Sequence, residues 1–171
     1  ELSKLTTLSE GLLQLAHTGN GIAKTKLELD SLITIAISRV LKGAEQKQIL
    51  IVPDKSKKLA VRGEETSLIE ALVTVLDNAV KYSPDKTEVK IKTGKSKEFA
   101  QIEVIDQGIG IKASELPYIF ERFYRADSSR KRSETEGYGL GLSIAQKIVD
   151  EHDGSLRVKS KMNKGTTFIV T

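Results

Sequence analysis

Three stretches hold residues whose types and spacing suit one chemistry. The first is Gln101-Ile102-Glu103-Val104-Ile105-Asp106-Gln107-Gly108-Ile109-Gly110-Ile111. Apolar and polar residues alternate from Ile102 to Asp106, the period of a strand. That strand ends on a carboxylate and two glycines one residue apart, and glycine lets a backbone bend tightly and approach a ligand closely. An Asp so placed can accept hydrogen bonds from a flat, amino-bearing group. The second stretch, Gly137-Tyr138-Gly139-Leu140-Gly141, opens an apolar-periodic run. Glycines at a helix start free N–H groups for phosphate, and the helix dipole favours negative charge there. Three alternating glycines suit a polyphosphate. The third is a polar stripe, Glu70, Thr74, Asp77, Asn78 and Lys81, whose spacings share one side of a helix. Tyr82 lies one turn beyond Asn78 on that side. Asn78 is a poor helix former in a helix interior, and its side-chain carbonyl suits Mg²⁺, which keeps several waters and bridges to substrate phosphates.

Taken singly, these are an Asp/Gly turn, a glycine-rich loop and a solvated helix face. Together they make a nucleotide site, with the base at Asp106, the metal at Asn78, phosphates at the glycines of 137–141, Lys81 countering phosphate charge and Tyr82 near the aromatic ligand. The site is of neither common glycine-rich kind. Leu142 stands where the third glycine of a dinucleotide fingerprint falls, a loop precedes it, and no G-x-x-x-x-G-K-[ST] occurs. The Asp-Phe-Gly of protein kinases is also absent.

These residues need elements to position them. Leu68, Ile69, Leu72, Val73, Leu76 and Val80 give the apolar face of a helix over 65–82, ended by Ser83-Pro84. Leu140, Ile144, Ala145, Ile148 and Val149 give that of a helix stopped by Asp153-Gly154. An earlier helix runs to about Ala44, with Asp30 as its N-cap and Leu32, Ile33, Ala36, Ile37, Val40 and Leu41 buried. Strands are expected over 26–29, 48–52, 58–61, 88–93, 99–106, 155–160 and 166–170. Pro53-Asp54 should mark a turn between the third-helix-preceding pair 48–52 and 58–61, and Gly94 with a lysine-rich turn should join 88–93 to 99–106. The 26 residues 111–136 read as a lid or long loop. Phe120, Phe123 and Tyr124 should anchor it, with Arg122, Arg125, Arg130, Lys131 and Arg132 on its mobile part. Leu5, Leu8, Leu12 and Leu15 form a narrow seam for a partner helix, ended at Gly19-Asn20-Gly21.

At 171 residues and 39% hydrophobic composition, the chain suits one domain plus a short appendage. It does not begin with Met, and we read it as part of a longer protein. No cysteine excludes disulfides and thiolate metal sites. No run of about 18 apolar residues reads as a membrane helix. The net charge of +4 is mild and mostly scattered, and nucleic-acid binding is not indicated.

The order of the motifs carries a resemblance. Leu76-Asp77-Asn78-Ala79-Val80-Lys81-Tyr82-Ser83-Pro84 resembles the N box of sensor histidine kinases. Asp106-Gln107-Gly108-Ile109-Gly110 is similar to their first glycine box, Phe120-Glu121-Arg122-Phe123-Tyr124-Arg125 to the F box, and Gly137-Tyr138-Gly139-Leu140-Gly141-Leu142 to the second glycine box. The resemblance covers about 26–171 and implies the ATP-binding fold shared with gyrase. That is an α/β two-layer sandwich with a mixed, mostly antiparallel sheet, helices on one face and a mobile lid at about 111–136. It implies ATP and Mg²⁺ as cofactors, with Asn78 on the metal, Asp106 on the adenine amino group and Tyr82 against adenine. Lys81 and Arg125 would contact phosphates, and Gly108, Gly110, Gly137, Gly139, Leu140 and Gly141 would line the nucleotide. Residues 1–20 resemble the end of the second helix of a dimerisation domain.

By the same resemblance the γ-phosphoryl group goes to a histidine on the dimerisation domain of the same protein, then to a response regulator receiver domain. The parent would be a homodimer with this domain in the cytoplasm, membrane-anchored as many relatives are, and this piece alone a monomer. The phosphoacceptor motif itself is missing: only His17 and His152 exist, and both read as structural or solvated. Thr74 stands where hydrolysing relatives carry the Glu that activates water, and Thr cannot act as that base. Asp77, about 100° around the helix from Asn78, is poorly set to replace it. Two rivals share the fold. A serine/threonine kinase of the anti-sigma-factor type is disfavoured by the F box and Tyr82-Ser83-Pro84. A non-catalytic nucleotide-binding interaction module is disfavoured by intact Asn78, Asp106 and glycines.

Overall fold

Alternation along the strands sets which face of the sheet is covered. The structure, a computed structural model, describes residues 24–55, 58–125 and 138–171. The leucine seam, His17, Arg130, Lys131, Arg132 and Gly137 lie outside them. In β4 (Glu88–Ser96) Val89, Ile91 and Thr93 are buried while Lys90 and Lys92 are exposed. In β5 (Phe99–Ile105) Ile102 and Val104 are buried. With β2 (Leu50–Pro53), β6 (Leu156–Lys161) and β7 (Gly165–Val170) they form a five-stranded sheet in the order β2-β4-β5-β7-β6. Only β2 and β4 run parallel. A separate antiparallel ribbon pairs β1 (Thr25–Glu28) with β3 (Ala60–Gly63).

Three helices share a core with one face of the sheet: α1 (Leu29–Gln46), α2 (Glu65–Tyr82) and α3 (Gly141–Glu151). Leu32, Val75, Leu76, Val89, Ile91 and Val104 lie at its centre. This is the expected α/β sandwich. The bounds of α2 and the buried face of α3 are as the sequence predicts, with Ala71, Val75 and Ala79 adding to the α2 face.

Several local expectations are corrected. Asp30 is not the N-cap of α1; β1 runs straight into the helix, Glu28 stands at the N-cap position without a side-chain bond, and Leu29 N–H donates to Leu59 O at 2.9 Å. Asp30 falls in the first turn. Leu41 is 44% exposed. Each step of four residues advances about 40° beyond a full turn, so the row Ile33, Ile37, Leu41 drifts off the buried face. Pro53 is not in a turn but ends β2, paired with Ile91, and β2 and β3 join different sheets. Gly94 lies inside β4 opposite Gln101, and the hairpin turns instead at Lys97-Glu98, with Lys97 at φ +56°. The described part of the lid, 111–125, folds onto the core: it holds a 3₁₀ turn at Leu116–Tyr118, Glu115 and Ile119 are buried, and Phe120 and Tyr124 pack against the core. Phe123 is not an anchor. It is 58% exposed, in a left-handed turn whose N–H bonds Gly139 O at 2.9 Å.

Candidate nucleotide-binding site

Helix α2 carries one wall of the site, and both its ends are fixed. At its start Glu64 is the N-cap; its carboxylate accepts from Thr66 N–H at 3.0 Å and Ser67 N–H at 2.6 Å. At its end Pro84 has no N–H to continue the ladder. Between them Asn78 donates its amide Nδ2 to Thr74 O, one turn back, at 2.8 Å. That bond commits the nitrogen and leaves Oδ1, an oxygen donor, to the open side. Lys81 Nζ lies 5.9 Å from the centre of the Tyr82 ring, within cation–π range.

The opposite wall begins at the end of β5. Asp106 is only 5% exposed. Its Oδ1 accepts Gly108 N–H at 2.7 Å and Thr166 N–H at 2.9 Å, which leaves Oδ2 for a ligand. Burial pushes this carboxyl above its ordinary value, against the two backbone bonds that pull it down. The glycines here are steric necessities. A Cβ on Gly108 would lie 2.7 Å from Tyr82 O, and one on Gly165 would lie 2.1 Å from Asp106 O. Gly110, at φ +70°, is pressed on the Lys161 carbonyl.

The third side is the start of α3. Gly139 takes φ +72°, and a Cβ there would lie 2.5 Å from Tyr124 O. Gly141 faces the Thr74 methyl, 3.2 Å from where its own Cβ would be. Gly139 and Gly141 of the second glycine box are thus wedged between the Phe123-Tyr124 backbone and α2.

These walls enclose a cavity of about 330 Å³. Thr74, Asp77, Asn78, Lys81, Tyr82, Asp106, Gly110, Arg125, Gly139 and Gly141 border it. The three sequence stretches therefore meet. Glu70, Gly108 and Leu140 are not on its surface: Gly108 is buried behind it, and the Leu140 side chain sits in the core. Asp77 does border it, although exposed. Sequence reasoning missed Thr166, whose contribution is a backbone N–H. The one available signal was Gly165 before it, between the two expected closing strands. His152 lies far from the cavity. Its Nε2 accepts Glu64 N–H at 3.0 Å and its Nδ1 is 2.7 Å from Ile148 O, so both ring nitrogens are engaged structurally. A second cavity, about 510 Å³, lies at the other ends of α2 and α3 among Leu68, Leu72 and Val149. It holds none of the polar residues singled out for chemistry.

Among the described residues, no group of three or more His, Asp or Glu could cage a metal. A single amide oxygen beside space for phosphates suits Mg²⁺, which is usually held by few protein ligands, substrate phosphates and water. No helix among the described residues is long and apolar enough to cross a membrane.

The family described as "Histidine kinase-, DNA gyrase B-, and HSP90-like ATPase" matches residues 63–171. The sensor histidine kinase YkoH of Bacillus subtilis is 40% identical over 97% of this chain and 36% of its own length. The signal transduction histidine-protein kinase ArlS of Staphylococcus aureus is 44% identical over 66% of this chain and 25% of its own. The chain thus spans about a third of the curated relatives it matches. Among solved structures, the mycobacterial sensor histidine kinase MprB superposes with a TM-score of 0.69 at 27% identity, over 86% of this chain and 95% of that one. A family match that takes in α2, both glycine boxes and Thr166, with kinase relatives along nearly the whole sequence, carries the assignment: the chain belongs to the histidine kinase-, gyrase B- and HSP90-like ATPase family, as an ATP-binding catalytic domain of the sensor histidine kinase type.

Proposed function

We propose that this domain binds Mg·ATP in the 330 Å³ cavity and, within the longer protein, presents the γ-phosphoryl group to a histidine on a dimerisation domain. The observation that carries the reading is Asp106. It is a buried carboxylate with one oxygen held by two backbone donors and the other left for an amino group. The adenine N6 amino group supplies that donor, and the Tyr82 ring lies against the base. Asn78 Oδ1 holds Mg²⁺, which neutralises phosphate charge. Lys81 and Arg125 contact the phosphates, and the amides of 139–141 at the start of α3 cradle them.

Phosphoryl transfer needs mainly positioning and charge stabilisation, which these groups provide. His152 is not the receiving histidine, since both its ring nitrogens are engaged. On this reading residues 1–20, outside the described residues, belong to the dimerisation domain and 26–171 to the catalytic domain, and the phosphate passes on to a receiver domain of a response regulator. The domain works on the cytoplasmic side, where ATP is available. Thr74 turns its methyl to Gly141 and offers no base, so hydrolysis by this chain alone is slow.

Calorimetric titration of Mg·ATP tests the reading. The parent should bind, and Asn78→Ala and Asp106→Asn should each lose about 10–100-fold in affinity, as expected for a hydrogen bond or ligand to a charged group. A parent that binds no nucleotide, or variants that bind as the parent does, would overturn it.

A further inference from the structure

The last four carbonyls of an α-helix have no partner within it. At the end of α2 each one is taken. Ser83 N–H and its hydroxyl both donate to Ala79 O, at 3.2 and 2.7 Å. Tyr82 O accepts Ile109 N–H at 3.3 Å. The rest go to one side chain from another helix. The Lys47 ammonium donates to Val80 O at 2.9 Å, Lys81 O at 3.0 Å and Ser83 O at 2.5 Å. An ammonium has three donors, so the match is complete. Lys47 is itself fixed as the C-cap of α1, its N–H bonded to Ala44 O and Glu45 O, and its carbonyl accepts Lys86 N–H at 2.9 Å.

We propose that Lys47 is a positioning residue for the nucleotide site. The inference rests on the nucleotide reading above and adds a residue to it. Lys47 borders no part of the cavity, so it acts through its carbonyl partners. By closing the last turn of α2 it fixes the backbone of Lys81 and Tyr82. Tyr82 O in turn holds the Ile109 amide and is packed against Gly108, which sets the turn that presents Asp106. The ammonium also offsets the partial negative charge of the helix C-terminus, beside a cavity meant for a polyanion. Without it, three carbonyls turn to water, the last turn of α2 loosens, and the hold on Ile109 is lost.

Two measurements on Lys47→Met and Lys47→Arg test this. In hydrogen exchange of the unliganded chain, K47M should speed the Ser83 and Ile109 amides about tenfold or more, with those of β4 and β6 unchanged. In calorimetry, K47M should weaken adenosine about tenfold, through Tyr82 and the turn that presents Asp106, and ADP at least as much, because Lys81 shares the loosened turn; loss of charged-group hydrogen bonds sets that scale. K47R, which keeps the charge and donors, should return affinity to within about threefold. Uniformly faster exchange with unchanged adenosine affinity would reduce Lys47 to a stability residue and overturn the proposal, as would parent-like behaviour of K47M. If K47M does not fold, Lys47→Gln, which keeps a donor, takes the same two measurements. A parent that binds no nucleotide would overturn the proposed function instead, and Ile109 exchange would still decide whether Lys47 holds the turn.

Discussion

Asp106 is asked for two things that oppose each other. For the proposed base contact it must be buried, and burial disfavours its charge. Its folded-state carboxyl therefore titrates above its unfolded value. Below the unfolded value both states are protonated and nothing is lost. As pH rises through the folded value the penalty grows, and it stays at neutral pH. Asp106→Asn keeps an oxygen for the Gly108 and Thr166 amides and removes the charge. It should melt higher than the parent near pH 7 and level with it below about pH 4, while losing nucleotide affinity. A thermal melt series over pH checks this; a variant less stable at neutral pH would contradict the account. The carboxylate was legible in the sequence because it ends an alternating strand before two glycines. Its second amide was not, because any residue can supply a backbone N–H, and Thr166 is brought there by pairing across the sheet.

At the scale of the element, α2 is the lever of the site, and its ends differ in kind. The N-terminal end is held locally. Burial works against the Glu64 carboxylate, but the Ser67 hydroxyl with the Ser67 and Thr66 amides hold it below its ordinary value. Stability from such a group is present above the unfolded value and lost as pH falls through the folded one. Glu64→Ala should cost about 1 kcal/mol near neutral pH in denaturant titration, and the difference should vanish in acid. The C-terminal end is held from a distance, by Lys47 and Ile109. This divides what the sequence could tell. The apolar spacing and Ser83-Pro84 place α2 within 65–82, since both signals lie within its own residues. Leu41 and Gly94 mislead through the geometry of their own elements, a row drifting off its face and a strand running past its glycine, whereas Phe123 misleads because its turn is tied to Gly139, distant in sequence.

Across the whole molecule, one core joins α1, α2, α3 and the sheet, so a ligand that ties α2 to β5 and α3 should stabilise all of them together. At Mg·ATP one hundred times its Kd the gain is about 2.7 kcal/mol, a rise in Tm of roughly 5–11 °C for a domain of this size. Asn78→Ala in the same magnesium and nucleotide, binding about 10–100-fold more weakly, should keep only about 0.4–1.4 kcal/mol of it, and a full rise in that variant would remove Asn78 from the site. The sheet order explains why the site is a property of the whole chain. Strand β7 inserts between β5 and β6, and the Asp106 carboxylate meets Thr166 across 60 residues of sequence. A ribosome making roughly 5–20 residues per second takes about 3–12 seconds to cover that distance. During that interval a nascent chain carries Asp106 and the whole of α2 but lacks the Thr166 amide, one of the two that hold the carboxylate. A domain whose synthesis has stopped short of β7 therefore lacks the Thr166 amide, and on the proposed reading it should hold the Asp106 carboxylate, and with it ATP, less firmly than the finished one.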